Sequence, residues 1–271
     1  MEPAVQQGYE RARRMLRRHD PTYYLATRRL PAPLRPATYA LYGYVRAADE
    51  LVDGPGRLQT PQARCAALDA WEGELRAPRH PVALALADAA ERHGLPLSEL
   101  RTYMCSMRVD SEPPIRIDTY DQLVTYMDGS AGTVGRIMAT LLGIPPDHHA
   151  DLGRLGVAFQ LANFIRDVRE DRHLDRIYLP AEDRERFGVT DADLTGSSPR
   201  LCALLRHESE RARALFAAAA PAIAAAPASV RPGVRLAIAL YRRMLDSPRP
   251  TGVRVWHLPG AALEATLPMP R

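Results

Sequence analysis

Apolar residues recur every three to four positions along almost the whole chain, and the alternation of apolar and polar residues that marks a strand is rare. Proline and glycine separate the periodic segments, and the Ala-rich segment 217–227, with two prolines, is interpreted as a helix end and turn. We predict an all-α fold in a single domain spanning residues 1–271. The predicted helices cover roughly residues 3–19, 22–29, 34–53, 60–76, 81–93, 97–108, 119–128, 131–142, 149–171, 200–219 and 229–246.

Composition narrows the class of protein. The chain has 271 residues, of which 46% are hydrophobic, so it can bury a large core. It has no apolar run of about 18 residues and no apolar segment behind its N-terminal arginines, which predicts neither a transmembrane helix nor a secretory signal. Three scattered cysteines indicate a reducing cytoplasm. A net charge of +4 is too small to indicate nucleic acid, whereas an anionic substrate or a loose membrane-surface contact is left open.

One polar stripe lies on the predicted helix 34–53. Tyr42, Arg46, Asp49 and Asp53 follow one another at steps of four, three and four, so they share one helix face. The stripe combines an aromatic ring, a cation and two carboxylates. A solvated helix edge is the commoner explanation of such a stripe, and the residues of this helix alone do not establish a site.

A second polar stripe lies on the predicted helix 149–171. Gln160, Asn163, Asp167 and Asp171 follow at steps of three, four and four, within an otherwise apolar stretch. Polar groups in such a stretch need partners, which a structural hydrogen-bond network or a hard cation with phosphate oxygens could supply. Two facing stripes of this kind would form an oxygen-rich cage, which predicts a site for Mg²⁺ and a phosphorylated substrate.

A segment of small residues runs from Tyr126 to Gly135. Small side chains permit either the close approach of two helices or a helix break that opens a cavity. The segment alone favours neither interpretation.

Several motifs in order resemble those of the squalene/phytoene synthase family over nearly the whole chain. Segments 41–53 and 160–171 resemble its two aspartate-rich signatures, the second being continued by 176–180. Segment 126–135 is similar to its Ala-Gly-x-Val-Gly helix, and segment 107–110 to its Met-x-x-Asp turn. The resemblance implies an all-α isoprenoid-synthase fold with a deep central cavity, in which an allylic prenyl diphosphate is ionised.

The resemblance also implies roles for particular residues. The metal ligands it implies for Mg²⁺ are Asp49, Asp53, Asn163, Asp167 and Asp171. The catalytic residues we predict are the four aspartates of that set with Tyr126 and Asp128. The substrate-binding residues we predict are Tyr42, Arg46, Gln160, Asn163, Arg166, Tyr178 and Trp256. In this scheme Arg46 grips the diphosphate, and the ring faces of the tyrosines stabilise the carbocation.

Both ends of the chain depart from the family pattern. Pro21, beside Asp20, stands where a basic residue is usual, and segment 251–260 carries little positive charge but has gained Trp256. Because a second diphosphate needs counter-charges, we predict transfer of the prenyl group to a neutral, aromatic, carbazole- or indole-like secondary-metabolite acceptor. Asp128 or the released diphosphate would remove the ring proton, although Asp128 fits a surface acid equally well. The alternatives are head-to-head condensation of two prenyl diphosphates and a non-catalytic helical binding protein.

Overall fold

The computed structural model describes residues 2–246, which form thirteen α-helices and one short pair of strands. The helices are α1 (Pro3–His19), α2 (Pro21–Thr27), α3 (Arg35–Asp53), α4 (Pro61–Gly73), α5 (Pro81–His93), α6 (Glu99–Asp110), α7 (Tyr120–Met127), α8 (Thr133–Leu141), α9 (His149–His173), α10 (Ala181–Arg186), α11 (Pro199–Ala218), α12 (Ala220–Ala225) and α13 (Arg231–Leu245). The all-α fold class is confirmed. No helix within these residues is long and apolar enough to cross a bilayer.

Helix starts follow from local sequence. Prolines occupy the first turn of α2, α4 and α11, where the missing N–H costs no intrahelical hydrogen bond. The residue before each of these prolines caps the helix. The side chains of Asp20, Thr60 and Ser198 accept hydrogen bonds from backbone N–H groups in the first turn. These caps explain why the predicted starts lie within a residue or two of the observed ones.

The structure adds two helices and a pair of strands to the predicted set. Helix α10 follows the second strand, and α12 occupies the Ala-rich segment that was interpreted as a helix end and turn. The strands β1 (Ile115–Arg116) and β2 (Arg176–Ile177) pair in parallel, with Ile115 opposite Arg176. Each strand has two residues, which is too short for a period-two pattern to reveal. The pair holds the chain after α9 against the end of α6.

Helix α9 runs through the larger of two main hydrophobic clusters and packs against α8, α11 and α13. The second cluster joins α3, α5 and α6. Between α7 and α8, residues Asp128–Gly132 form a π-helical turn that packs on α9. A Cβ atom at Gly156 would overlap the Ala131 carbonyl, and one at Gly135 would overlap the Leu152 carbonyl. The small residues of segment 126–135 therefore serve close helix packing, while some of them also line a cavity.

Candidate active site

A cavity lies between α2, α3, α6, α8, α9 and α13. Its wall is mainly apolar, with side chains such as Val45, Met107, Val134 and Leu155. Aromatic and polar groups interrupt that wall at the positions Asp20, Tyr23, Tyr42, Asp49, Tyr103, Phe159, Gln160 and Tyr241. Such a lining suits a long hydrocarbon chain and keeps bulk water away from its reactive end.

The first aspartate face, formed by Asp49 and Asp53 of α3, begins at the cavity wall, where Asp49 is a lining residue. The Tyr103 hydroxyl, from α6, donates to Asp49 Oδ1 at 2.6 Å. Burial, together with the neighbouring carboxylates of Asp53 and Asp110, raises the pKa of Asp49 to about 6, although the Tyr103 hydrogen bond and Arg46 act to lower it. Burial and carboxylate repulsion outweigh the stabilising contacts, so this face has a deficit of positive charge.

A buried arginine connects the first face to the rest of the site. Arg176, from β2, is 5% exposed and pairs with Asp53 Oδ1 at 2.6 Å. The same guanidinium donates to the Asp110 backbone carbonyl at 2.7 Å. The strand pairing therefore positions the guanidinium of Arg176 at the ends of both α3 and α6.

The second aspartate face, formed by Asp167 and Asp171 of α9, lies close to the first. Burial raises the pKa of Asp171 well above its usual range, and Asp167, Asp53 and Asp110 add to that rise, while Arg176 opposes it. Because Asp53 belongs to α3, this electrostatic coupling means that the two faces approach each other. Asp167 is held by Arg166 in a two-pronged ion pair, at 2.6 and 2.5 Å.

An aromatic group lies next to the two faces. Tyr126 and Tyr178 both donate to the Asp110 carboxylate, at 2.5 and 2.9 Å. Their ring centroids are 5.4 Å apart, and Phe164 stacks on Tyr178 at 3.9 Å. Burial raises the pKa of Asp110 to about 6, an effect opposed by Tyr126, Arg176 and Tyr178. Asp110 thus fixes the orientation of both tyrosine rings.

The comparisons with known proteins agree with this architecture. The family model for squalene/phytoene synthase matches residues 16–261. The chain belongs to the squalene/phytoene synthase family. It is 35% identical to a phytoene synthase of Arthrospira platensis, over 88% of this chain and 83% of that protein. It is 34% identical to a phytoene synthase of Thermus thermophilus, over 99% of this chain and 97% of that one.

Solved structures give the same result. A dehydrosqualene synthase superposes with a TM-score of 0.82 at 27% identity, covering 89% of this chain and 86% of that one. A squalene synthase from Alicyclobacillus acidocaldarius superposes with a TM-score of 0.79 at 26% identity, covering 91% and 94%. The predicted family and helical fold are therefore confirmed, and the chain is a prenyltransferase of a family whose substrates are prenyl diphosphates.

The predicted aromatic acceptor is wrong. The relatives matched over most of the chain are named phytoene synthases, which supports head-to-head condensation instead. The prediction gave most weight to the cations missing from the chain ends, although it placed Arg46 and Arg166 in the substrate site. Arg166 and Arg176 lie beside the carboxylates of both faces. Asp20 caps α2 and accepts a hydrogen bond from the Tyr241 hydroxyl at 3.3 Å, so its position is determined by local structure.

The predicted site residues differ in where the structure places them. Tyr42, Asp49 and Gln160 line the cavity. Asp128 is 51% exposed, pairs with Arg136 at 2.8 Å and is not among the cavity-lining residues. Its proposed part in removing a ring proton falls with the aromatic acceptor. Trp256 lies outside the described residues.

Three site residues escaped sequence analysis. Tyr103 gave no sign of its role, because its partner Asp49 lies 54 positions away in the chain. Asp110 closes the Met-x-x-Asp turn and Arg176 opens segment 176–180, so both stood in recognised motifs without an assigned role. All three act on the aspartates from other elements, which a helical stripe cannot reveal.

The donor set fits a divalent metal, on which the family typically depends. The side-chain donors of both faces are oxygens, as Mg²⁺ prefers. Asn163 Oδ1 is buried and has no hydrogen-bond partner among residues 2–246. Together with the raised pKa values of Asp49 and Asp171, this orphan oxygen marks a place where the protein alone leaves negative potential unsatisfied.

Proposed function

We propose that the protein joins two allylic prenyl diphosphates head to head in a Mg²⁺-dependent reaction, with two C20 chains giving the C40 hydrocarbon phytoene. The observation that carries this proposal is that the two aspartate faces, on α3 and α9, lie close enough for the Asp53 and Asp171 carboxylates to repel each other, beside one apolar cavity. The names of the relatives, phytoene synthase and 15-cis-phytoene synthase, support the choice of product.

The carboxylates provide the metal-binding part of the site. Asp49, Asp53, Asp167 and Asp171, together with the orphan oxygen of Asn163, would hold Mg²⁺. When bound, the metal supplies Lewis-acid stabilisation of the departing diphosphate.

Arginines supply the remaining counter-charge. Arg46 lies one turn from Asp49 and contacts Glu50 at 3.4 Å, which is long for an ion pair, so its guanidinium can turn towards a diphosphate. Arg166 lies against Asp167, where a second diphosphate could share it. These internal cations could offset the negative charge of two diphosphates without basic residues at the chain ends.

The cavity protects the reactive carbon. Its apolar wall excludes water that would capture an allylic cation as an alcohol. The ring of Tyr42, which lines the cavity, would offer negative π-density to a developing positive charge. Joining two C20 chains into phytoene breaks both C–O bonds to diphosphate and two C–H bonds, forms a carbon–carbon double bond between the chains and releases two protons, which the diphosphates can accept.

The test is product analysis with one substrate and no acceptor. The purified protein with Mg²⁺ and geranylgeranyl diphosphate should give a C40 hydrocarbon of the mass of phytoene. Asp167→Asn should lose at least a hundredfold in rate, because it removes one anionic ligand. The matched control Asp147→Asn, at an exposed position before α9, should keep full rate.

Two results would contradict the proposal. Geranylgeraniol as the main product would mean that water, and not a second prenyl chain, captures the cation. A wild-type rate in Asp167→Asn would contradict the role of Asp167 as a Mg²⁺ ligand in the reaction.

A further inference from the structure

A second cluster of charged groups lies between α10 and α11, apart from the cavity wall and the two aspartate faces. Asp183 comes from the first turn of α10, and His207, Glu208 and Arg211 come from α11. Asp183 is 3% exposed and Glu208 is 0% exposed. Two carboxylates at this depth need partners, since a buried unpaired charge is strongly unfavourable.

Arg211 satisfies only part of that need. Its Nη1 donates to Asp183 Oδ2 at 2.5 Å and to Glu208 Oε1 at 2.9 Å. The guanidinium lies 4.0 Å above the Tyr120 ring, which fixes its position. One oxygen of each carboxylate is thereby taken, while Asp183 Oδ1 receives only a 3.4 Å contact from Nη2.

The remaining atoms point into a common space. Glu208 Oε2 and His207 Nε2 are both buried and have no hydrogen-bond partner within residues 2–246. One ligand atom each from Asp183, His207 and Glu208 lies within 4.8 Å of the others. Orphan buried atoms are rare in folded proteins, and two in one place call for a missing partner.

The spacing suits a metal better than a direct hydrogen bond. His207 Nε2 and Asp183 Oδ1 are 3.5 Å apart, beyond the usual range of about 2.7–3.2 Å for an N–H···O bond. Two ligands bound tetrahedrally to zinc at about 2.1 Å are separated by about 3.4 Å. The net charge also fits, because two carboxylates and one guanidinium leave one negative charge uncompensated.

We propose that Asp183 Oδ1, His207 Nε2 and Glu208 Oε2 bind Zn²⁺, with water as the fourth ligand. Imidazole nitrogen and carboxylate oxygen are both ligand atoms that zinc accepts, and three protein ligands with one water complete a tetrahedral site. Arg211 would act from outside the coordination sphere, holding the second oxygen of each carboxylate and so orienting both ligands. The metal would fasten α10 to α11, and thereby the chain that follows β2.

Zinc titration of the full-length protein tests the site. Metal is removed with a chelator, Mg²⁺ is added in excess to occupy the aspartate faces, and zinc binding is measured by calorimetry. The wild type should bind one equivalent of zinc, and His207→Ala should bind it at least tenfold more weakly. The matched control is His148→Ala, which alters another half-buried histidine paired with an aspartate, and it should bind zinc as the wild type does.

A second variant keeps the proposal testable if His207→Ala does not fold. Glu208→Gln keeps the shape and the hydrogen bond to Arg211 but removes the ligand charge, and its fold is checked by circular dichroism. It too should lose zinc affinity at least tenfold.

The competing explanation is a proton shared between the two carboxyl groups, since burial raises the pKa of Glu208 to about 7. Equal zinc binding in wild type and His207→Ala, or wild-type affinity in folded Glu208→Gln, would overturn the zinc site.

Discussion

Replacing Asp49 with asparagine should stabilise the metal-free protein while abolishing catalysis. Burial raises the pKa of Asp49 from its ordinary 3.8 to about 6. Asparagine at this position keeps an oxygen that accepts the Tyr103 hydroxyl but removes the charge. The variant therefore separates the cost of an ionised carboxylate from the loss of a hydrogen bond.

The sign and size of the effect follow from proton linkage. Because the folded-state pKa of Asp49 is raised, the folded protein holds this proton more tightly than the unfolded chain does. Stability from this group is fully present below about pH 4 and is lost as the pH rises towards 6. At about 1.4 kcal/mol per pKa unit, two units set an upper limit of about 3 kcal/mol. Because Asp49 is only half-buried, solvent screening reduces this to about 1–2 kcal/mol at pH 7.

The assay is urea unfolding of metal-free protein at pH 5, 6 and 7. Asp49→Asn should exceed the wild type by about 1–2 kcal/mol at pH 7, and the difference should shrink towards pH 5. Adding Mg²⁺ should stabilise the wild type far more than the variant, because a ligand of the folded state is lost. A variant no more stable than wild type at pH 7, or a difference independent of pH, would refute the reasoning. Asp147→Asn serves as the exposed control.

Three further variants probe the groups around the site. Tyr103→Phe should lower the rate roughly tenfold or more and raise the Mg²⁺ concentration needed for half-maximal rate, because a hydrogen bond to a charged group is worth about 1.5–3 kcal/mol. The control is Tyr9→Phe, which loses the hydroxyl hydrogen bond to Asp88 and should leave both values unchanged. Arg176→Met should lower the free energy of unfolding by about 1–3 kcal/mol, since it leaves the buried Asp110 carbonyl without its hydrogen-bond donor, and an unchanged denaturation midpoint would contradict that role. Gly156→Ala should cost about 1–3 kcal/mol in thermal unfolding through overlap with the π-helical turn, whereas Gly73→Ala, with open space around it, should cost nothing.

Much of the fold was predictable because its information is local. Helix periods, first-turn prolines and caps such as Thr60 and Ser198 lie within a few residues of what they determine. The elements that escaped prediction, α10, α12 and the strand pair, have two to six residues each and are formed through contacts with longer helices. The prediction of one domain over residues 1–271 stays a prediction.

The site was predictable only where its residues share a helix. The spacing of four residues predicts a shared helix face for Asp49 with Asp53 and for Asp167 with Asp171. Tyr103, Asp110 and Arg176 reach them from other elements, and nothing in a single helix indicates that approach. The wrong acceptor has the same origin. The prediction relied on the positive charge missing from the chain ends, whereas Arg176, which could help to balance a second diphosphate, comes beside the aspartates only in the folded chain.

The ratio of diphosphate to hydrocarbon tests the central claim most directly. With geranylgeranyl diphosphate as the sole organic substrate and Mg²⁺ present, both products are quantified in the same reaction. Head-to-head condensation predicts two diphosphates released for each C40 hydrocarbon formed. One diphosphate for each C20 alcohol, with no C40 product, would contradict the account.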